Sequence, residues 1–328
     1  MKKILLLLFL GISIVSVGQK HAYKVAKTFH IKSAGGWDYI AVNNNKIYVS
    51  HSTQVNILDE NSGDSIGVIL NTNGVHGIAF DNSTNKGYTS NGRSNNVTVF
   101  DLKTNQASGE IPTGENPDAI MYEPYSKTII TCNGRSKNLS VIDVKTNKVI
   151  KTIDIGGKPE TAVSDGNGKV FVNIEDKNEI VEVNMKTKAV AKRWSIKPAD
   201  GPTGLEYDPK TKRLFAACDK MLVVLNAENG TVVAKLPIGD GCDGVAFNDK
   251  NHVIYTSNGE GTMTAIKENS ANSYTVLGNY ATKKGARTIT IDKKNGRLFL
   301  PTADFESPAP TTGRPKMIAG SFQVLVVE

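Results

Sequence analysis

Seven segments of this sequence share one pattern, and most of them open on a charged residue or a histidine. At separations of 38, 42, 42, 43, 40 and 44 positions, the opening residues are Asp38, His76, Asp118, Glu160, Thr203, Asp243 and Arg287. Four are carboxylates, which suit a cation, a metal ion or a basic ligand if the fold gathers them around one opening. Arg287 would mark one side of that opening for a carboxylate or a phosphate. The alternative is that these side chains hydrogen-bond only to backbone and water.

Histidine adds acid–base and metal chemistry to this set. Two imidazoles and a carboxylate form a workable site for a divalent metal, the only cofactor that we consider, and the candidate ligands are Asp38, His51 and His76. The same three groups could act as a catalytic base with its orienting acid, while Arg287 stabilises an oxyanion or an enolate. No local motif such as His-x-x-x-His accompanies them. Packed or solvated histidines are therefore the alternative.

Two loops repeat the sequence Asn-Gly-Arg-Ser, at residues 91–94 and 133–136. Glycine after asparagine is ordinary turn chemistry, but a turn does not require Arg93 or Arg135. Side by side, these arginines would hold an anionic group through paired charged hydrogen bonds. A longer connection, residues 302–321, contains three prolines and is interpreted as a lid or binding loop, or as an insertion without a role.

The repeat itself indicates the elements that must position these residues. Each unit of about forty residues contains four strand-like runs separated by polar turns, as in residues 118–122, 128–133, 138–143 and 149–153. Four short strands per unit are typical of a β-propeller blade, so seven units predict an all-β, seven-bladed β-propeller. A β-solenoid, whose repeats are shorter, is the competing geometry.

Antiparallel strands would place the start of every first strand and every link between second and third strands on one face, here called the top face. The candidate ligand-binding residues at its channel mouth are Asp38, His76, Arg93, Asp118, Arg135, Glu160, Asp243 and Arg287. A second ring is expected where the second strands end, at His51, Asn91, Asn133, Ile174, Cys218, Asn258 and Thr302.

The two ends of the chain predict how the ring closes. The last unit ends on a third strand, residues 322–327, with no fourth strand after it. The missing strand is available at residues 23–31, and its pairing beside the C-terminal strand would remove two exposed sheet edges.

Runs such as Ile47-Tyr-Val-Ser, Ile254-Tyr-Thr-Ser-Asn, and Val141-Ile-Asp followed by Lys145-Thr-Asn-Lys resemble those of the YVTN-type β-propeller repeat proteins, including the exported YncE-like ones. The units that begin at Glu160 and Arg287 lack the asparagine that usually ends the second strand. The resemblance implies a propeller fold over nearly the whole mature chain. It implies little about function, because such propellers include binding proteins, electron-transfer partners and enzymes.

Residues 1–19 have two lysines, a short apolar run and small residues, which is typical of a secretory signal peptide. We therefore expect a single propeller domain over residues 20–328, periplasmic or secreted, monomeric, and without a transmembrane segment after signal removal. A retained signal anchor is the alternative.

Three cysteines are too few for a disulfide framework and are expected to be buried, although Cys218 and Cys242 could pair.

Composition and motifs favour one function over two others. The formal charge is +7, and removal of Lys2 and Lys3 with the signal leaves 37 basic against 32 acidic residues, or +5. This excess is too small and diffuse to indicate a nucleic-acid partner, so weak nucleic-acid binding ranks last. No phosphate-binding loop, nucleophile elbow or metalloprotease motif is present.

The leading hypothesis is a cell-envelope propeller that binds a small or peptide-like ligand, or a protein partner, at the mouth. The alternative is a lactonase or lyase type of enzyme at the same site, using His76, His51, Asp38 and Arg287.

Overall fold

A computed structural model describes residues 22–307 and 316–328 of the chain. In these two ranges the protein forms 28 strands and a single 3-10 turn at Glu175–Lys177. The strands make seven antiparallel sheets of four strands each, which are the seven predicted blades.

The first strand of the chain, β1 (Val25–His30), belongs to the last blade. Blade 1 contains β2 (Trp37–Asn43), β3 (Lys46–His51), β4 (Gln54–Asp59) and β5 (Ser65–Ile69). Blade 2 contains β6 (Val75–Asp81), β7 (Lys86–Asn91), β8 (Asn96–Asp101) and β9 (Ala107–Pro112). Blade 3 contains β10 (Pro117–Glu123), β11 (Thr128–Asn133), β12 (Asn138–Asp143) and β13 (Lys148–Asp154). Blade 4 contains β14 (Pro159–Ser164), β15 (Lys169–Ile174), β16 (Glu179–Asn184) and β17 (Ala189–Ser195). Blade 5 contains β18 (Gly204–Asp208), β19 (Arg213–Cys218), β20 (Met221–Asn226) and β21 (Val232–Pro237). Blade 6 contains β22 (Cys242–Asn248), β23 (Val253–Asn258), β24 (Thr262–Ser270) and β25 (Ser273–Ala281). Blade 7 contains β26 (Thr290–Ile291), β27 (Leu298–Thr302), β28 (Gln323–Val327) and β1.

The two ends of the chain close the ring, as the sequence predicted. Strand β1 pairs antiparallel with β28, and Phe29 lies opposite Val324. The first strands contact one another in a circle from β2 through β26 and back to β2. The fold is therefore a seven-bladed β-propeller around a central axis.

Seven apolar clusters fill the seven interfaces between neighbouring blades. The second and third strands of each blade are buried on both faces, so they read as continuous apolar runs, whereas outer strands such as β9 are largely exposed. All three cysteines are buried free thiols. The disulfide between Cys218 and Cys242 is not formed, because Cys218 packs between blades 4 and 5 while Cys242 packs between blades 5 and 6.

A repeated polar turn follows the third strand of five blades. The side-chain oxygen of the strand's last residue accepts backbone N–H groups from the next few residues, at Asp59, Asp101, Asp143, Asn184 and Asn226. This Asx turn explains the run Val-Ile-Asp-x-Lys-Thr-Asn. The side-chain oxygen of the Asp or Asn accepts backbone N–H groups that no longer have a partner strand once the third strand ends.

The long connection in blade 7 is anchored at its base. Phe305 pairs with Met317 in a short antiparallel bridge, and the ring centroids of Phe305 and Trp37 are 6.1 Å apart. Residues 308–315, the centre of the predicted lid, lie outside the described residues, as does the predicted signal peptide at 1–19. Among the described residues, no helix is long and apolar enough to cross a membrane.

Candidate functional site

The candidate site is the top-face opening of the axial channel, here called the mouth, formed by Asp38, His76, Asp118, Glu160, Asp243 and Arg287. Its first five residues lie at irregularities in the pairing of first strands, where the register shifts between residues 37 and 40, 75 and 78, 117 and 120, 159 and 162, and 242 and 244. A β-bulge releases residues from regular pairing and re-aims their side chains. The two blades without such a shift place Thr203 and Arg287 ahead of their first strand.

Serines of the second strands support these irregular segments. Ser50 Oγ accepts the backbone N–H of Asp38 at 3.0 Å and donates to the carbonyl of Tyr39 at 2.9 Å. Ser90 accepts the N–H of Gly77 at 2.8 Å and donates to the carbonyl of Asp118 in the next blade. These serines fix the backbone beneath the mouth and link adjacent blades.

Asp38 and His76 meet, as the sequence suggested. His76 Nδ1 lies 2.6 Å from Asp38 Oδ2 and 3.7 Å from Asp118 Oδ1. Burial disfavours the imidazolium, but the hydrogen bond to Asp38 and the negative charges of Asp118 and Asp38 outweigh it and raise the pKa of His76. Asp38 and Asp118 therefore favour the protonated form of His76.

Arg287 is satisfied inside the protein. Its Nε donates to Asp243 Oδ2 at 2.7 Å, and a terminal nitrogen lies 3.4 Å from Asp38 Oδ1 and from the carbonyl of Trp37. Burial acts against its charge, but Asp243 and Asp38 raise the pKa of Arg287 above its ordinary value. Asp243 and Asp38 hold Nε and one terminal nitrogen of Arg287, and the expectation that Arg287 marks this side of the mouth for a carboxylate or a phosphate stays a prediction.

Two carboxylates of the mouth are poorly satisfied. Asp118 and Glu160 are each only 8% exposed, and among the described residues their basic neighbours are His76 Nδ1, 3.7 Å from Asp118 Oδ1, and Lys158. Lys158 Nζ forms an ion pair with Glu160 Oε2 at 3.2 Å and donates a hydrogen bond to Glu175. Burial raises the pKa of Asp118 to about 6 and that of Glu160 to about 8, and the negative charges nearby add to both shifts. Burial raises the pKa of Asp243 as well, although Arg287 opposes this effect.

Below the mouth the axis contains a cavity of about 190 Å³. Tyr39, Thr161, Glu206 and Asp243 are among the residues that line it. Burial raises the pKa of Tyr39 strongly, and Asp118, Glu160, Asp38 and Asp243 all add to this shift. Tyr39 is therefore a neutral hydroxyl that lies among the four carboxylates.

His51 does not join this group. It is fully buried, its Nε2 lies 2.8 Å from the carbonyl of Gly35, and its Nδ1 lies 2.7 Å from Ser33 Oγ. Its ring stacks on Phe322 with centroids 4.1 Å apart, and burial lowers its pKa. The predicted metal set of Asp38, His51 and His76 is therefore corrected: the third residue near Asp38 and His76 is Asp118, with the three ligand atoms within 4.8 Å of one another.

The expected second ring is structural rather than a lining of the mouth. Asn91 Nδ2 donates to Asn96 and Thr98, and its Oδ1 accepts from Thr89. Asn133 and Asn258 repeat the same arrangement in their own blades. All seven members are buried within or between blades. Their amides hold the ends of the second and third strands together and are not available to a ligand.

Arg93 and Arg135 are exposed on the top face, and no described residue pairs with either guanidinium. Neither glycine before them has a positive φ, and lack of space requires a glycine at Gly92 but not at Gly134. A Cβ at Gly92 would lie 2.6 Å from His76 Nε2, and one at Gly134 would lie 3.6 Å from Lys158 Cε. The Asn-Gly-Arg loops thus lie directly over the mouth.

Sequence reasoning missed Lys158 and Tyr39. Lys158 precedes Glu160 by two positions, a spacing that places two strand residues on the same side, so this ion pair had a signal in the sequence. Tyr39 directly follows Asp38, and only the register shift explains why both lie at the channel.

Comparison with known proteins gives the fold and no family. No model of a protein family matches the chain, and no curated protein sequence matches it. Among solved structures, the chain is similar to one described as Kuenenia stuttgartiensis hydrazine synthase, with a TM-score of 0.74 and 15% identity, covering 90% of this chain and 97% of that chain. The resemblance to YVTN-type proteins stays a prediction. At this identity the likeness shows that the chain is a β-propeller of the seven-bladed kind described above.

Proposed function

We propose that this protein is an exported propeller that binds a small or peptide-like ligand, or a segment of a protein partner, at the mouth. The observation that carries the proposal is that Asp118 and Glu160 are buried carboxylates with few donors, an ion-pair contact to His76 at 3.7 Å and one to Lys158 at 3.2 Å. A buried carboxylate without donors is destabilising, and such groups are concentrated at functional sites. The exposed Arg93 and Arg135 above them add a second charged surface that the fold itself does not use.

A thermal-shift screen tests this proposal. The purified mature chain would be scanned against amines, amino acids, peptides, sugars, organic acids and divalent metal ions. A compound present at a hundred times its Kd should stabilise the native state by about 2.7 kcal/mol. The double variant Asp118→Asn/Glu160→Gln should lose this stabilisation, whereas Glu260→Gln, an exposed top-face control, should keep it. The proposal fails if no compound stabilises the protein, or if every stabilising compound acts equally on the double variant.

A metal- or arginine-assisted enzyme of the lactonase or lyase type is the second candidate. It is favoured by the 2.6 Å contact between His76 and Asp38, which resembles a base with its orienting acid, and by the closeness of Asp118. Because Arg287 is bound to Asp243 and Asp38, it would act on a substrate through the electrostatic field of its positive charge. Two measurements test this candidate. The first is metal analysis after dialysis against Zn²⁺ or Ca²⁺, and the second is lactone turnover by the variants His76→Ala and Asp38→Asn. Unchanged turnover in both variants, together with no bound metal, would exclude this enzyme.

Weak nucleic-acid binding remains the third hypothesis and gains no support at the mouth. Its opening carries four carboxylates, which repel phosphate groups.

A further inference from the structure

Charges alternate in sign along one part of the mouth. Arg287 lies between Asp243 and Asp38, with its guanidinium nitrogens 2.7 Å and 3.4 Å from their oxygens. His76 follows between Asp38 and Asp118, at 2.6 Å and 3.7 Å. Each carboxylate in this series therefore has a basic group beside it, Arg287 or His76, which offsets the cost of its burial.

The alternation breaks between Asp118 and Glu160, on the adjacent blades 3 and 4. No described cation lies within 4.0 Å of both carboxylates: His76 reaches only Asp118, and Lys158 reaches only Glu160. Lys158 is moreover drawn to Glu175 by its hydrogen bond. Asp118 and Glu160 therefore lie on neighbouring first strands, and no described cation bridges their carboxylates. Their repulsion is visible in the raised pKa of Glu160, to which Asp118 contributes second only to burial.

The missing group has the properties of an ammonium. A primary ammonium has three N–H donors, and the buried carboxylates of Asp118 and Glu160 have acceptor capacity that the ion-pair contacts to His76 and Lys158 do not fill. A metal ion is the poorer fit at this position, because Glu160 does not belong to the Asp38, His76 and Asp118 group whose ligand atoms lie within 4.8 Å. No arginine or lysine of the described residues places its charged group between Asp118 and Glu160.

An exposed arginine lies close to this region. The ideal Cβ of Gly134 is 3.4 Å from Asn116 Nδ2 and 3.6 Å from Lys158 Cε, so the loop that carries Arg135 passes over the region between blades 3 and 4. Arg135 is exposed, and no described residue pairs with its guanidinium. Arg93 occupies the equivalent position on blade 2. A ligand with an ammonium in the gap could therefore place a carboxylate on Arg135.

We propose that the ligand of the mouth is zwitterionic, an amino acid or short peptide whose ammonium lies between Asp118 and Glu160 and whose carboxylate binds Arg135. This inference rests on the proposed function, since it names the chemical class of the ligand at the same site.

Linear ω-amino acids test the inference and measure the distance between the two subsites. Calorimetric titrations would use glycine through 6-aminohexanoate, their N-acetyl derivatives and the matching alkylamines, at about pH 8.5, where the ammonium persists and both carboxylates are mostly ionised. At least one amino acid should bind, and N-acetylation should weaken it by at least about tenfold. Glu160→Gln should cause a similar loss, whereas Glu260→Gln should not. Arg135→Ala should reduce the affinity of the amino acid to that of its alkylamine.

The outcomes separate this inference from the proposed function. If the screen returns a neutral or anionic ligand that requires Asp118 and Glu160, or if N-acetylated compounds bind as well as the free amines, the zwitterion is wrong and the mouth is still the binding site. If no compound depends on Asp118 and Glu160, both proposals are wrong.

Discussion

Single residues at the mouth are positioned by what surrounds them rather than by their own chain segment. His76 is held by Asp38 of the preceding blade, and its Nε2 lies beside Gly92. The absence of a side chain at Gly92 is therefore part of the site, although the sequence alone indicates only a turn at this glycine.

Substitution of Gly92 by alanine should disturb His76. The new Cβ would lie 2.6 Å from His76 Nε2 and 2.9 Å from Asn116 Oδ1, so the imidazole must leave its place beside Asp38. We expect a stability loss of about 1–3 kcal/mol and a fall in the pKa of His76, measured by NMR titration of the imidazole. Gly109→Ala is the matched control, since nothing lies within 4 Å of a Cβ there. A His76 titration identical to that of wild type in Gly92→Ala would contradict this account.

Glu160 should make stability fall as pH rises. Burial raises its folded-state pKa from 4.5 to about 8, so between these values the native protein keeps a proton that the unfolded chain loses. Each pH unit in that window removes up to about 1.4 kcal/mol of stability through this group. Asp118 and Asp243 act in the same direction, while His76 and Lys158 are the cations nearby. In urea unfolding, the stability of Glu160→Gln relative to wild type should therefore increase from pH 5 to pH 9. A constant difference across this range would show that Glu160 titrates normally.

At the scale of elements, the blades are terminated by side chains that replace backbone partners. Asp143 Oδ1 accepts the N–H groups of Lys145 at 3.0 Å and Thr146 at 2.7 Å, directly after β12. Asn184 and Asn226 do the same in the following two blades. The turn needs an acceptor oxygen rather than a charge, which is why both residue types occur there.

Asp143→Ala and Asp143→Asn should therefore differ. Alanine removes the acceptor and should cost about 1 kcal/mol, whereas asparagine keeps the acceptor and should cost only a few tenths. Chemical denaturation of the two variants measures the difference. Equal losses would mean that the carboxylate charge, and not the acceptor oxygen, stabilises the turn.

The whole molecule depends on the pairing of its two ends. Strand β1 covers the edge of β28, and Phe29 and Ile31 are buried between blades 7 and 1 together with Phe322. The N-terminal segment therefore contributes both hydrogen bonds and core, and it shapes the blade that precedes the mouth residue Asp38.

Removal of residues 22–31 should open the ring. Each of the two lost apolar side chains contributes about 2–5 kcal/mol, and the free edge of β28 invites aggregation. We expect a chain that starts at residue 32 to be unfolded or associated in circular dichroism and size-exclusion chromatography, whereas a chain that starts at residue 22 should be native. An unchanged melting temperature in the shorter chain would disprove the structural role of this closure.

The sequence by itself determined the strands, the seven blades and the terminal closure. These follow from a repeat of about forty residues, because every unit must bury two faces of its sheet against like neighbours. It also placed the charged residues on one face. The tertiary structure alone decided their partners: it tied Arg287 to Asp243 and Asp38, buried His51 against Gly35 and Phe322, and left Asp118 and Glu160 with no cation that bridges them among the described residues. Contacts between side chains of different blades depend on register shifts and on side-chain directions, which move atoms by a few ångströms. A repeat pattern in the sequence does not determine atomic positions at that precision.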